Sequence, residues 1–199
     1  MGRSVPFVGL TGGLGAGKST ALAALHGLGA EVISSDAVVH ELYEGEELRE
    51  ALTRRFGPQI APGGVVDREA LAQRVFASEP ERSWLEGVVW PLVGQRIAGW
   101  LEQVRAREPA PRAAVVEVPL LFEAGLDAGY DATIAVIAEE RLRSERASAR
   151  GHALVAEREQ RQLSQEEKAR RATFVVRNDG SEQDLALQLS AVLAKLDGG

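Results

Sequence analysis

Gly12-Gly13-Leu14-Gly15-Ala16-Gly17-Lys18-Ser19 lies directly after the apolar run Val5-Pro6-Phe7-Val8-Gly9-Leu10. It fits the phosphate-binding loop pattern G-x-x-x-x-G-K-[ST], with a strand expected before it and a helix after it. Glycines allow positive φ and bring bare amides close to an anion. Successive N–H groups then form a concave nest for phosphate oxygens. The helix expected from Lys18 adds its positive end. Lys18 is expected to neutralise β- and γ-phosphate charge, and the Ser19 hydroxyl to ligate Mg²⁺. Lys18, Lys168 and Lys195 are the only lysines. With lysine so scarce, the pattern arises by chance in roughly one chain of this composition in four hundred, before its flanks are required.

The alternation of elements decides the fold class. Val5 to Leu10, Glu31 to Ile33, Ala113 to Val118, Ala132 to Ala138 and Thr173 to Val176 read as strands. Lys18 to Leu28, with Leu22, Leu25 and Leu28 on one face, and Ser181 to Leu196 read as helices. Strands separated by helices predict an α/β protein with a mostly parallel sheet covered on both faces. From Glu44 to Arg107 the pattern is helical and charged, broken at Gly57-Pro58 and Ala61-Pro62-Gly63-Gly64. Asp67 is expected to be an N-cap, and Ser78-Glu79-Pro80 a helix start. Trp84, Leu85, Val88, Val89, Leu92, Val93, Ile97 and Trp100 supply an apolar face on either side of Pro91. Gly87, Gly94 and Gly99 interrupt these helices, pointing to close packing or to a ligand. Glu139 to Arg171 reads as an Arg-rich helical stretch with a break near Gly151.

Composition narrows the partners. The 199 residues suit one domain with helical insertions. No cysteine is present, which excludes disulfides and thiolate metal sites and suits a reducing cytosol, so a cytoplasmic location is expected. No run approaches 18 apolar residues, and the first residues do not read as a signal peptide. A net charge of −6 provides no basic footprint for nucleic acid.

Several residues could carry chemistry beside the loop. Asp36 follows the second strand, and ligands in open α/β sheets sit at the carboxyl ends of strands. It is open to two readings: a base taking a proton from a hydroxyl that attacks the γ-phosphate, or an N-cap for the helix at Ala37. Glu117 ends a Val-rich strand, near where an acid would stand beside Mg²⁺, or is simply a strand-end acid. Glu123 is equally open to being a helix-start residue. Arg141, Arg143, Arg146, Arg150, Arg158, Arg161, Arg170 and Arg171 crowd one segment, of which one or two would stabilise transferred phosphate. His26, His40 and His152 have no ligand-like spacing.

These pieces together resemble the dephospho-coenzyme A kinase family over nearly the whole chain. Leu10 to Thr20 is similar to the family's Thr-Gly-Gly-Ile-Gly-Ser-Gly-Lys-Ser. Val32-Ile33-Ser34-Ser35-Asp36-Ala37-Val38-Val39-His40-Glu41 resembles its Asp-Ala-Asp stretch and following His-Glu. Val118-Pro119-Leu120-Leu121-Phe122-Glu123 matches Pro-Leu-Leu-Phe-Glu, and Gln162 to Lys168 and Asn178-Asp179-Gly180 resemble the later signatures. The resemblance implies a P-loop kinase-like core of about residues 5–35, 112–138 and 173–197. It adds a helical substrate-binding region, about 36–110, and a lid, about 139–172. It implies transfer of the ATP γ-phosphate to the ribose 3′-hydroxyl of dephospho-coenzyme A, the last step of coenzyme A biosynthesis, with Mg²⁺. Gly13, Leu14, Gly15, Ala16, Gly17, Lys18, Ser19 and Thr20 would bind ATP, with Asn178 near its adenine. Asp36 aligns with the last Asp of Asp-Ala-Asp, the family's proposed base. Counting forward from Ala132 favours Arg150 as the lid arginine; counting back from Gln162 favours Arg146. Ser34 stands where the family has its first Asp, and Trp90-Pro91 replaces His-Pro. Other small-molecule kinases share the loop, but not the later signatures. A GTP-driven switch would need an Asn/Thr-Lys-x-Asp reader, which the sequence lacks. A nucleotide-binding scaffold without turnover would bind ATP and leave every acceptor unphosphorylated.

Overall fold

The computed structural model describes residues 5–148 and 162–198. Five strands form one parallel sheet: β1 (Phe7–Gly12), β2 (Glu31–Ser34), β3 (Ala114–Glu117), β4 (Ala132–Ile137) and β5 (Phe174–Arg177), in the order β2-β3-β1-β4-β5. The central strand is therefore the first one. Val8 and Leu10 face Val115 and Ile134 across the register and are fully buried. Burial on both faces explains why these strands read as near-continuous apolar runs.

The sheet's two faces follow the period of two. On one, Val8, Leu10, Val115, Ile134 and Val136 pack under α1 (Lys18–Gly27) and the C-terminal helix (Glu182–Asp197), which contribute Ala21, Leu25, Leu185, Leu189 and Leu193. The C-terminal helix begins with a capping box, in which the Ser181 hydroxyl accepts from Asp184 N and the Asp184 carboxylate accepts from Ser181 N. On the other face Gly9 leaves room for Leu121 and Tyr130, whose side chains would meet a Cβ there at 3.0–3.2 Å. Tyr130 stacks on Phe7 with centroids 4.5 Å apart.

The chain divides into two compact units, one of residues 1–34 and 101–199, the other Ser35–Trp100. The second contains α2 (Ser35–Glu44), α3 (Glu46–Phe56), α4 (Arg68–Phe76) and most of α5 (Glu79–Arg105). Leu48, Leu52 and Phe56 stand four residues apart on α3 and are buried together with Ile60, Leu71, Val89 and Val93. Asp67 caps α4, its carboxylate accepting from Ala70 N at 2.9 Å, as the sequence predicts. Helix α5 runs without interruption through Pro91. Proline deprives only the Gly87 carbonyl of its partner, and both residues are exposed to water that can replace it. A Cβ at Gly87, Gly94 or Gly99 would meet nothing within 4 Å, so close packing does not account for these glycines.

Two further helices complete the described residues: α6 (Glu140–Ser148) after β4, and α7 (Gln165–Arg171) before β5. The C-terminal helix is α8.

Candidate active site

At its carboxyl end β1 turns into α1 through the glycine loop. Gly15 and Gly17 have φ of +72° and +93°, which side chains other than glycine's rarely tolerate. Ala16 N donates to Gly13 O at 3.2 Å, closing the turn. Gly17 is the N-cap of α1 and offers no side chain, so the first amides of the helix are not capped by its own sequence. The Lys18 ammonium donates to Gly12 O at 3.0 Å and Gly13 O at 3.2 Å, which holds its charge on the loop. Ser19 is exposed and Thr20 half-buried in the first turn of the helix. Glycine backbone, a helix N-terminus and one lysine thus converge at a single point, an arrangement suited to a polyphosphate.

Two elements from late in the chain grip this loop from outside. Arg143 of α6 donates from Nε to Leu14 O at 3.0 Å. Its Nη1 pairs with Glu140 at 2.6 Å. Asn178, directly after β5, is 6% exposed and donates from Nδ2 to Ala16 O at 2.9 Å. Arg146 Nη1 in turn donates to Asn178 O at 3.1 Å. Glu139 N donates to Asp179 Oδ1 at 2.6 Å, fastening the start of α6 to the same turn.

Behind the loop lies a buried polar network. Lys168 of α7 is fully buried. Its ammonium donates to Pro119 O at 2.7 Å and to Thr11 Oγ1 at 3.4 Å, and pairs with Glu123 at 2.9 Å. Thr11 also donates to Pro119 O, and Glu123 Oε1 accepts from Leu163 N at 2.7 Å. Burial pushes the Lys168 ammonium below the ordinary lysine range, against the pull of the Glu123 charge. Glu123 lies in a turn and not at a helix start; its role is to receive that buried charge. The Gln165 side-chain Oε1 accepts from Ala138 N at 3.1 Å, which ties α7 to the end of β4.

The remaining candidates are distributed as follows. Glu117 closes β3, opposite Leu10 of β1 and Ser34 of β2, and is buried. Asp36 is exposed in the first turn of α2, two residues beyond β2. Because α2 begins at Ser35, Asp36 sits inside the helix and not at its cap. Within the second unit, His40 is held by Arg68. Nη1 lies 2.7 Å from Nδ1, and Nη2 donates to His40 O at 3.3 Å. The same guanidinium stands over the Tyr43 ring, 5.3 Å from its centroid. Trp90 is 44% exposed. Arg150, Arg158, Arg161 and His152 lie outside the described residues.

Residues Gly13 to Thr20, Asn178 and Arg146 therefore gather at one end of the sheet. Arg143 and Lys168 belong there too, and sequence reading did not single them out. Arg143 was one arginine among eight in its segment. Lys168 carried two signals: a lysine is conspicuous in a chain that otherwise uses arginine, and it ends the Gln162 to Lys168 stretch that resembles the family's signature.

The comparisons with known proteins agree with this geometry. A family model described as dephospho-CoA kinase matches residues 6–184. The chain is 40% identical over 193 residues to a dephospho-CoA kinase of Deinococcus radiodurans, covering 96% of this chain and 92% of the relative. It is 42% identical over 197 residues to one of Thermus thermophilus, covering 97% and 93%. Among solved structures, TT1252 from Thermus thermophilus superposes with a TM-score of 0.83 at 38% identity, covering 98% of this chain and all of the other.

Proposed function

The chain belongs to the dephospho-CoA kinase family, and we propose that its glycine loop, Lys18 and Asp36 carry the transfer of the ATP γ-phosphate to the ribose 3′-hydroxyl of dephospho-coenzyme A. Phosphoryl transfer requires positioning and charge neutralisation, with little covalent work for the protein. The single observation supporting this most directly is the loop itself: a glycine backbone, an uncapped helix start and the Lys18 ammonium at one place. The loop amides and Lys18 hold the β- and γ-phosphates. In the reaction the bond from Pγ to the β,γ-bridging oxygen breaks and one from Pγ to the 3′-oxygen forms. The proton of the 3′-hydroxyl passes to the Asp36 carboxylate. The helices of residues 36–110 hold the acceptor, and one arginine of the 139–172 segment, Arg146 or Arg150, stabilises the phosphate in flight.

Among the described residues no three His, Asp or Glu side chains assemble a metal cage. A lone hydroxyl at Ser19 suits an ion that arrives on the nucleotide. Ser19 would hold Mg²⁺ there, with Glu117 a second candidate, and the ion's chemistry would be to neutralise phosphate charge.

The test is a coupled assay with dephospho-coenzyme A and MgATP, with the product identified as the 3′-phosphate. Asp36→Ala should lower kcat by about 10²–10⁴ while the KM for ATP stays close to wild type. Undiminished turnover in that variant would remove Asp36 from the mechanism.

A further inference from the structure

The contacts that Arg143 and Asn178 make with the loop are hydrogen bonds to carbonyls, and a carbonyl's direction fixes that of the next amide. In a planar trans peptide the C=O of one residue and the N–H of the following one point opposite ways. Among the described residues the only cis bond is Glu108–Pro109, so the peptides Leu14–Gly15 and Ala16–Gly17 are both trans. Arg143 Nε holds Leu14 O at 3.0 Å, and Asn178 Nδ2 holds Ala16 O at 2.9 Å. The N–H groups of Gly15 and Gly17 therefore point away from the donors that hold the carbonyls before them.

The glycines bear the imprint of the same two residues. A Cβ at Gly15 would stand 2.3 Å from Arg143 O, and one at Gly17 would stand 1.9 Å from Asn178 Nδ2. A Cβ at Gly13 would lie 3.1 Å from Arg143 Nη2. Hence each left-handed glycine is required twice, by its φ and by the group pressed against its α-carbon. The braces are themselves fixed. Glu140 pairs with Arg143, the Arg143 side chain is only 15% exposed, and Arg146 holds the Asn178 carbonyl.

We propose that Arg143 and Asn178 are positioning residues that aim the Gly15 and Gly17 amides, one each, at the nucleotide phosphates. Neither touches the reacting atoms; each acts through the peptide it holds. This rests on the phosphate-binding reading of the loop given above.

The test separates the two statements. Titrating MgADP into the ¹⁵N-labelled protein should move both the Gly15 and Gly17 amide protons downfield, as charge-assisted bonds to phosphate form. In Arg143→Ala the Gly15 shift should fall by at least about half while that of Gly17 persists, since one charged hydrogen bond is lost. In Asn178→Ala the pattern should invert. The KM for ATP should rise about tenfold in Arg143→Ala, with that for dephospho-coenzyme A unchanged, and Arg143→Lys, which retains a donor, should recover most of the loss. Arg143 lies on a helix of which only Ala147 is buried, so its variants keep the test decisive if Asn178→Ala fails to fold. If both variants leave both shifts at their wild-type size, or depress both equally, the braces do not aim individual amides and the proposal is overturned. If MgADP moves neither amide in the wild type, the phosphate-binding reading fails first.

Discussion

A charged side chain with no exposed surface needs a partner for every proton, and Lys168 shows how closely that is met. Its three donors are taken up by a carboxylate, a main-chain carbonyl and a threonine hydroxyl. Replacing a whole buried pair by apolar groups is often tolerated, whereas removing one partner leaves the other charge stranded. Lys168→Met and Glu123→Leu should therefore each cost about 3–5 kcal/mol, measured by urea denaturation. Lys168→Met with Glu123→Leu should cost clearly less than the two single changes added together. Additive losses would mean that the two side chains stabilise the fold independently.

At the scale of elements, helix boundaries are written in the sequence where a side chain makes them. Asp67 and Ser181 cap their helices because their oxygens accept orphan amides, a local interaction that a short window contains. The three central strands β1, β3 and β4 are equally legible, since burial on both faces selects apolar runs, whereas the edge strands β2 and β5 are only partly buried. Pro91 misleads, because a proline on an exposed helix face costs one hydrogen bond without stopping the helix. The contacts of Arg143 and Lys168 were beyond sequence reading for a different reason. Arg143 reaches Leu14 across 129 residues, and Lys168 reaches Pro119 and Thr11 across 49 and 157, so only the parallel crossovers bring them together. The glycines of α5 carry a prediction of their own. Gly87 and Gly94 are exposed and a methyl group there would meet open space. Gly87→Ala or Gly94→Ala should each add about 0.4–1 kcal/mol of stability by restricting the unfolded chain. Thermal denaturation should register an increase of about 1–4 °C for each, and a fall would mean that the helix bends at that glycine.

For the molecule as a whole, alkaline pH offers a direct test of the packing beneath β1. Burial pushes the Tyr130 phenol up to about 12, from 10 in the unfolded chain. Between those values the unfolded state releases the proton first, so stability contributed below pH 10 is lost as pH rises towards 12. Tyr130→Phe, which keeps the stack on Phe7, should flatten the decline measured between pH 10 and 12. An identical slope in that variant would show that other groups control it. The order of the strands has a consequence for synthesis. The strand leading into the glycine loop is made before both of its neighbours, residues 114–117 and 132–137. A nascent chain leaving the ribosome therefore carries an unpaired apolar β1 for about a hundred residues, while the intervening helices, built on local contacts, can already form. The segment most committed to chemistry is translated well before the two strands that enclose it.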